Sequence, residues 1–194
     1  MVANSIIQKR FTIEEYLDLE SKSLEKHEFH NGKITKMAGA SFNHNKIVGN
    51  IITALNIALD ERNECSVLPS DIKIHIPRIR RFVYPDAVVI CEEPEFYEGR
   101  KDTILNPLLI VEVLSDETDD YNKEGKFLKY SMIPSFKEYV LVSQDEPFVT
   151  SFYKKEAETW VKNTAEDISQ STHLQSLSII IALEKMYKGI IFVS

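Results

Sequence analysis

The chain has 194 residues, of which 43% are hydrophobic and 27% charged, a balance ordinary for a globular protein and sized for one domain spanning residues 1–194. Its 23 basic and 30 acidic residues leave a net charge of −7, which runs against a generally basic nucleic-acid-binding surface. No stretch reaches the roughly eighteen uninterrupted apolar residues of a membrane span, and the N-terminus carries no long apolar segment, so a cytoplasmic protein with no membrane partner is the expectation. The two cysteines, Cys65 and Cys91, lie in segments that read as a loop and a strand end, with no C-x-x-C spacing; neither a structural zinc site nor a disulfide framework is expected.

Thr12-Ile-Glu-Glu15 has the form of a capping box and predicts a short helix to about Glu20. Next, Asn31-Gly32 falls between two short strand-like runs, a strong hairpin signal because both residues accept positive φ, and Glu28 lies on the first of those strands. Ser41 is placed to cap a longer helix whose apolar face carries His44, Val48, Ile51, Leu55 and Ala58. From Val67 the period changes to two, with Ile72, Ile74 and Ile76 alternating against Asp71, Lys73 and His75, as in a strand with one buried face. Arg78, Arg80 and Arg81 form a basic turn. Strands are then expected around Asp86 and Glu112, antiparallel to each other, separated by the polar stretch from Glu92 to Asn106. A helix over Asp119–Met132 stops before Pro134, and Glu138–Val142, Phe148–Lys154 and Thr159–Lys162 read as further strands. The apolar stretch Leu177–Leu183 is either core strand or interface.

Within this pattern the chemistry concentrates at two carboxylates. Tyr84-Pro-Asp-Ala-Val-Val-Ile90 and Leu108-Leu-Ile-Val-Glu-Val-Leu114 each plant one acid in a run that otherwise reads as buried strand. Ionised carboxylates are rarely buried without a partner, because desolvation costs several kcal/mol unless an opposite charge or a metal compensates. Asp86 and Glu112 on neighbouring strands can hold one magnesium ion, a hard cation that accepts one or two carboxylates and fills its remaining positions with water and phosphate oxygens. Such a pair points to metal-dependent phosphodiester hydrolysis, with a nearby lysine stabilising developing negative charge. The residues alone also allow quieter readings: Asp86 as a turn acid after Pro85, Glu112 in a salt bridge with a lysine, Lys126 on a solvated helix face, Glu28 and Asp71 as solvated strand carboxylates, and His44 as a partly buried, hydrogen-bonded histidine. No glycine-rich phosphate loop and no nucleophile-elbow serine is present.

Several segments, taken in order and spacing, resemble the bacterial Uma-type family of restriction-endonuclease-like proteins. They are His27-Glu-Phe-His-Asn-Gly-Lys33, Leu68-Pro-Ser-Asp-Ile-Lys73, Tyr84-Pro-Asp-Ala-Val-Val89, Glu112-Val-Leu-Ser-Asp-Glu-Thr118, Lys126-Phe-Leu-Lys-Tyr130 and Glu138-Tyr-Val-Leu-Val142. The resemblance covers most of the chain. It implies the PD-D/E-x-K nuclease superfamily and an α/β (α+β) fold with a restriction-endonuclease-like core, a mixed central β-sheet flanked by helices. It further implies Mg2+ or Mn2+ as cofactor and DNA as substrate. By the same resemblance Asp86 takes the PD position, Glu112 the second acidic position and Glu28 the additional N-terminal acid. The lysine of the simplest motif would sit two residues after the second acid, where this chain has Leu114; Lys126 on the following helix takes its place. Asn122 stands where the family often has aspartate, and His44 and Asp71 are candidate supporting groups. The expectation is a metal-dependent endonuclease of DNA working as a homodimer, with a non-catalytic nucleic-acid or protein binding module on the same scaffold as the alternative.

Overall fold

A computed structural model of the protein describes residues 9–61, 64–114, 120–157 and 159–192, with the backbone alone at 120–124. In chain order the elements are α1 (Ile13–Lys22), β1 (His27–His30), β2 (Lys33–Lys36), α2 (Phe42–Ala58), β3 (Ser66–Pro69), β4 (Lys73–Ile76), β5 (Arg81–Val83), β6 (Ala87–Ile90), β7 (Thr103–Ile104) and β8 (Leu109–Leu114). They continue with α3 (Asp120–Tyr130), β9 (Glu138–Ser143), β10 (Val149–Glu156), β11 (Thr159–Ala165), β12 (Ser171–Leu174), β13 (Ile179–Ala182) and α4 (Leu183–Met186). Among the described residues the strands form a six-stranded sheet ordered β11-β10-β9-β8-β6-β3, a five-stranded sheet ordered β2-β1-β5-β4-β7, and the hairpin β12-β13. No helix among the described residues is long and apolar enough to cross a membrane.

The six-stranded sheet is mixed: β8 runs antiparallel to β6 and parallel to β9. All six residues of β8 are buried, which is why its sequence is a continuous aliphatic run broken only by Glu112. On one face of this sheet Val89, Val111 and Val113 pack with Ile47, Ile51 and Leu55 of α2 and with Leu183 and Met186 of α4. On the other, Val88, Ile90, Ile110 and Tyr139 meet Tyr130 at the end of α3, Ile133, Phe136, and Ile74, Ile76 and Val83 of the five-stranded sheet. The outer face of the five-stranded sheet is closed by α1, where Tyr16 and Leu17 pack on Phe29 and Phe82.

Local chemistry sets several of these boundaries. The Thr12 capping box forms in full: the Thr12 amide donates to Glu15 Oε2 at 2.8 Å and the Glu15 amide to Thr12 Oγ1 at 3.1 Å, although α1 runs two residues beyond Glu20. Asn31 and Gly32 take φ of 44° and 93° and close β1 onto β2 with His30 opposite Lys33. Ser41 caps α2 by accepting from the His44 amide.

The strand expected from Val67 to Ile76 is two strands in different sheets. β3 pairs with β6, and a turn at Ser70–Ile72 sends the chain into β4, which pairs with β5. Asp71 therefore lies in the turn, not on a strand. β4 is buried on both faces: His75 stacks on Phe82 with centroids 4.2 Å apart, and the Lys73 ammonium bonds Asp102 and lies over the Tyr84 ring. The period-two pattern reported which side chains are aliphatic, and the others are buried as well, His75 against Phe82 and Tyr97 and Lys73 against Tyr84 and Asp102. The cysteine expectation is also corrected, because Cys65 and Cys91 form a disulfide. The β3–β6 register pairs Ser66 with Ile90, so the next step outward sets positions 65 and 91 opposite each other. Leu177, Ile179, Ile181 and Leu183 join the core while Ile180 stays exposed, which makes this stretch a one-faced strand running into α4.

Candidate active site

The β6–β8 ladder ends at Ala87 opposite Val111. One further step along the same register would set Asp86 against Glu112. Proline at 85 has no amide to extend the ladder, so β6 starts only after Asp86, which lies just outside the strand expected to contain it. Its Oδ2 accepts from the Val113 amide at 2.7 Å and stands 3.2 Å from His44 Nε2. The acid is thus held by the backbone of β8 on one side and by the first turn of α2 on the other.

Glu112 is buried, with 4% of its surface exposed, and both oxygens are engaged. Oε2 accepts from the Lys126 ammonium at 2.9 Å, and Oε1 from the Tyr130 hydroxyl at 2.8 Å. The two donors lie four residues apart on α3 and so project from one side of the helix. Burial pushes the Glu112 carboxyl above the ordinary carboxylate range, Lys126 opposes the rise, and the charge of Asp86 adds to it. Against the cost of its own burial, Lys126 is held above the ordinary lysine value by Glu112, with smaller contributions from Glu28 and Asp86. His44 is raised as well, first by its bond to Asp86, working against burial. Its Nδ1 is buried without a partner.

Asp86, Glu112, Lys126 and His44 line one cavity of about 1130 Å³, together with Lys26, Lys36 and Gln144. The sequence-predicted residues divide accordingly. Glu28 sits beside the constellation: its Oε2 accepts from Arg81 at 2.9 Å, and its charge acts on Lys126 and Lys129. Asp71 is exposed in its turn and ion-paired with Lys26, without lining the cavity. The side chain of Asn122 lies outside the described residues. Tyr130 and the Val113 amide, which fix the two carboxylates, were not foreseen. The i, i+4 spacing of Lys126 and Tyr130 is the one signal that could have suggested the tyrosine.

The arrangement can do definite chemistry. Two carboxylates offer hard oxygen ligands at the wall of an open cavity, and a protonated lysine stands where negative charge can be stabilised. Among the described residues no group of three or more His, Cys, Asp or Glu side chains converges, which leaves a carboxylate pair rather than a closed metal cage.

Comparison with known proteins bears on the fold and on the family. A crystal structure from Anabaena variabilis, described as a putative nuclease belonging to DUF820, superposes with a TM-score of 0.74 over 93% of this chain and 99% of its own; at 13% identity the likeness is one of fold. Two Synechocystis proteins are similar in sequence, each described as uncharacterized. One, slr1290, is 34% identical across 92% of both chains; the other, sll1609, is 38% identical over 70% of this chain and 76% of its own. The profile of the Uma2 family, whose description reads "Putative restriction endonuclease", matches residues 13–184, and the chain belongs to that family.

Proposed function

We propose that the protein is a metal-dependent endodeoxyribonuclease of the PD-D/E-x-K type, in which Asp86 and Glu112 hold Mg2+ or Mn2+ and Lys126 stabilises the transition state. The observation that carries this reading is the meeting of Asp86, Glu112 and Lys126 in one cavity, from three separate stretches of the chain, with Lys126 bonded directly to Glu112. The donor set fits a hard divalent cation. Its oxygens belong to two carboxylates, and the second, Glu112, is buried with its desolvation only partly offset by Lys126. A bound cation would polarise the phosphoryl group and lower the pKa of an attacking water.

The chain's own residues supply the rest. Val113 and His44 fix the Asp86 carboxylate, Tyr130 orients Glu112, and the Lys126 ammonium stands ready to move from Glu112 toward a phosphate oxygen. Cutting both strands of a duplex would call for two copies related by a two-fold axis. The binding-module alternative has one observation in its favour, the closed Lys126–Glu112 pair, which occupies both partners. Incubation of plasmid and single-stranded DNA with Mg2+, Mn2+ or chelator separates the two. The nuclease reading expects cutting that chelator abolishes; DNA binding without metal-stimulated cutting would favour the module.

A further inference from the structure

We infer that Lys33, His30 and Arg81, joined by Lys129 of α3, form a phosphate-binding row that seats the DNA backbone beside the catalytic constellation. The inference rests on the nuclease reading and specifies where its substrate lies. His30 is opposite Lys33 across the β1–β2 ladder and opposite Arg81 across the β1–β5 ladder. Cross-strand partners present their side chains on the same face, so three basic positions stand side by side on three adjacent strands. At ~4.8 Å between strands the row extends roughly 10 Å, longer than one phosphate group.

This face is the one turned toward α3. Phe29 and Phe82, the alternate residues of β1 and β5, point into the opposite cluster under α1, whereas Val83, two residues beyond Arg81, packs with Tyr130 and Ile133. Lys129 lies one helical turn after Lys126, which links the row to the site. The four groups feel one another: His30 is shifted down by burial and then by Arg81, Lys129 and Lys33, and Lys129 by burial and then by Arg81. Glu28, bonded to Arg81, is the carboxylate that faces them.

Lys33 and Arg81 stand on the two strands flanking His30, and an anion laid along the row would bridge them. A polyanion can therefore be bound locally by a chain whose net charge is −7. Arg80 does not belong to the row, since its charge acts on Glu14 and Tyr97 on the α1 side, and this makes it a matched control.

The test is binding of a fluorescent DNA duplex in chelator, followed by anisotropy across a salt series. Proteins compared are the wild type, Lys33→Glu, Lys129→Glu, the double variant, Arg80→Glu and Asp86→Ala, with folding checked by circular dichroism. The expected result is an affinity loss of about 10-fold or more in each row variant. The salt slope should fall by roughly one for each cation removed, while Arg80→Glu stays near wild type. Asp86→Ala should bind at least as well as wild type while failing to cut. Wild-type affinity in the folded double variant would overturn the row and leave the nuclease reading standing. A wild-type protein that neither binds nor cuts DNA would overturn both.

Discussion

Glu112 lies at a depth where an ionised carboxylate needs donors, and it has two of different kinds. The Lys126 ammonium carries charge and, on the proposed nuclease reading, would change partner when a phosphate arrives; the Tyr130 hydroxyl is buried and serves to hold the carboxylate in place. Tyr130→Phe should therefore lower the unfolding free energy by about 1–3 kcal/mol, the cost of leaving a buried acceptor short of a donor, measured by urea denaturation. Stability equal to wild type would contradict the role assigned to the hydroxyl. Asp86→Asn is predicted to behave differently. The amide oxygen still accepts from Val113, so stability should change by less than about 1 kcal/mol, while cleavage falls roughly 100-fold or more through the lost charge. Parallel melting and cleavage measurements check the pair of effects, and an active Asp86→Asn would remove the residue from the proposed metal site.

At the level of elements, β4 shows how burial on two sides changes the meaning of a sequence pattern. His75 stacks on Phe82 and meets Tyr97 edge to face, with neither ring nitrogen bonded, and burial lowers its pKa to about 4. The unfolded chain, titrating near 6.5, takes up the proton first as pH falls. The stabilisation from keeping His75 neutral is thus complete above pH 6.5 and lost progressively as pH drops toward 4, by about 3 kcal/mol in all. Urea unfolding of His75→Phe should show a shallower acid-side decline than wild type over that window, and an unchanged decline would place the titration elsewhere. The sequence made β8 and α2 legible because each is a long run with one clear period. The acid in β8 stood out because nothing aliphatic explains it. It did not reveal that β3 and β4 belong to separate sheets, since both are four residues long and the turn between them carries Asp71 and Ile72 in apparent alternation. Tyr130 was hidden for a different reason: a tyrosine in a helix reads as core, and only the fold shows where its hydroxyl points.

On the scale of the whole molecule, two features join distant parts of the chain. The Cys65–Cys91 bridge closes a loop of 26 residues that contains β4, β5 and Asp86. In the chain-entropy account a loop of that length contributes about 3 kcal/mol by constraining the unfolded ensemble. Wild type with and without dithiothreitol, and Cys65→Ser with Cys91→Ser, should differ by that order in urea unfolding; coincident curves would show that the bridge does not stabilise the fold. The second feature is the convergence of Asp86, β8 and α3 on one cavity, the central claim put to the test here. Its most direct test is the rate of DNA cleavage with saturating Mn2+ by wild type, Asp86→Asn, Glu112→Gln and Lys126→Met, each confirmed folded. Measurable cutting by the wild type and a loss of roughly 100-fold or more in all three variants are the predicted result. Cutting that survives unchanged in the two carboxylate variants would contradict it and place the chemistry elsewhere on the molecule.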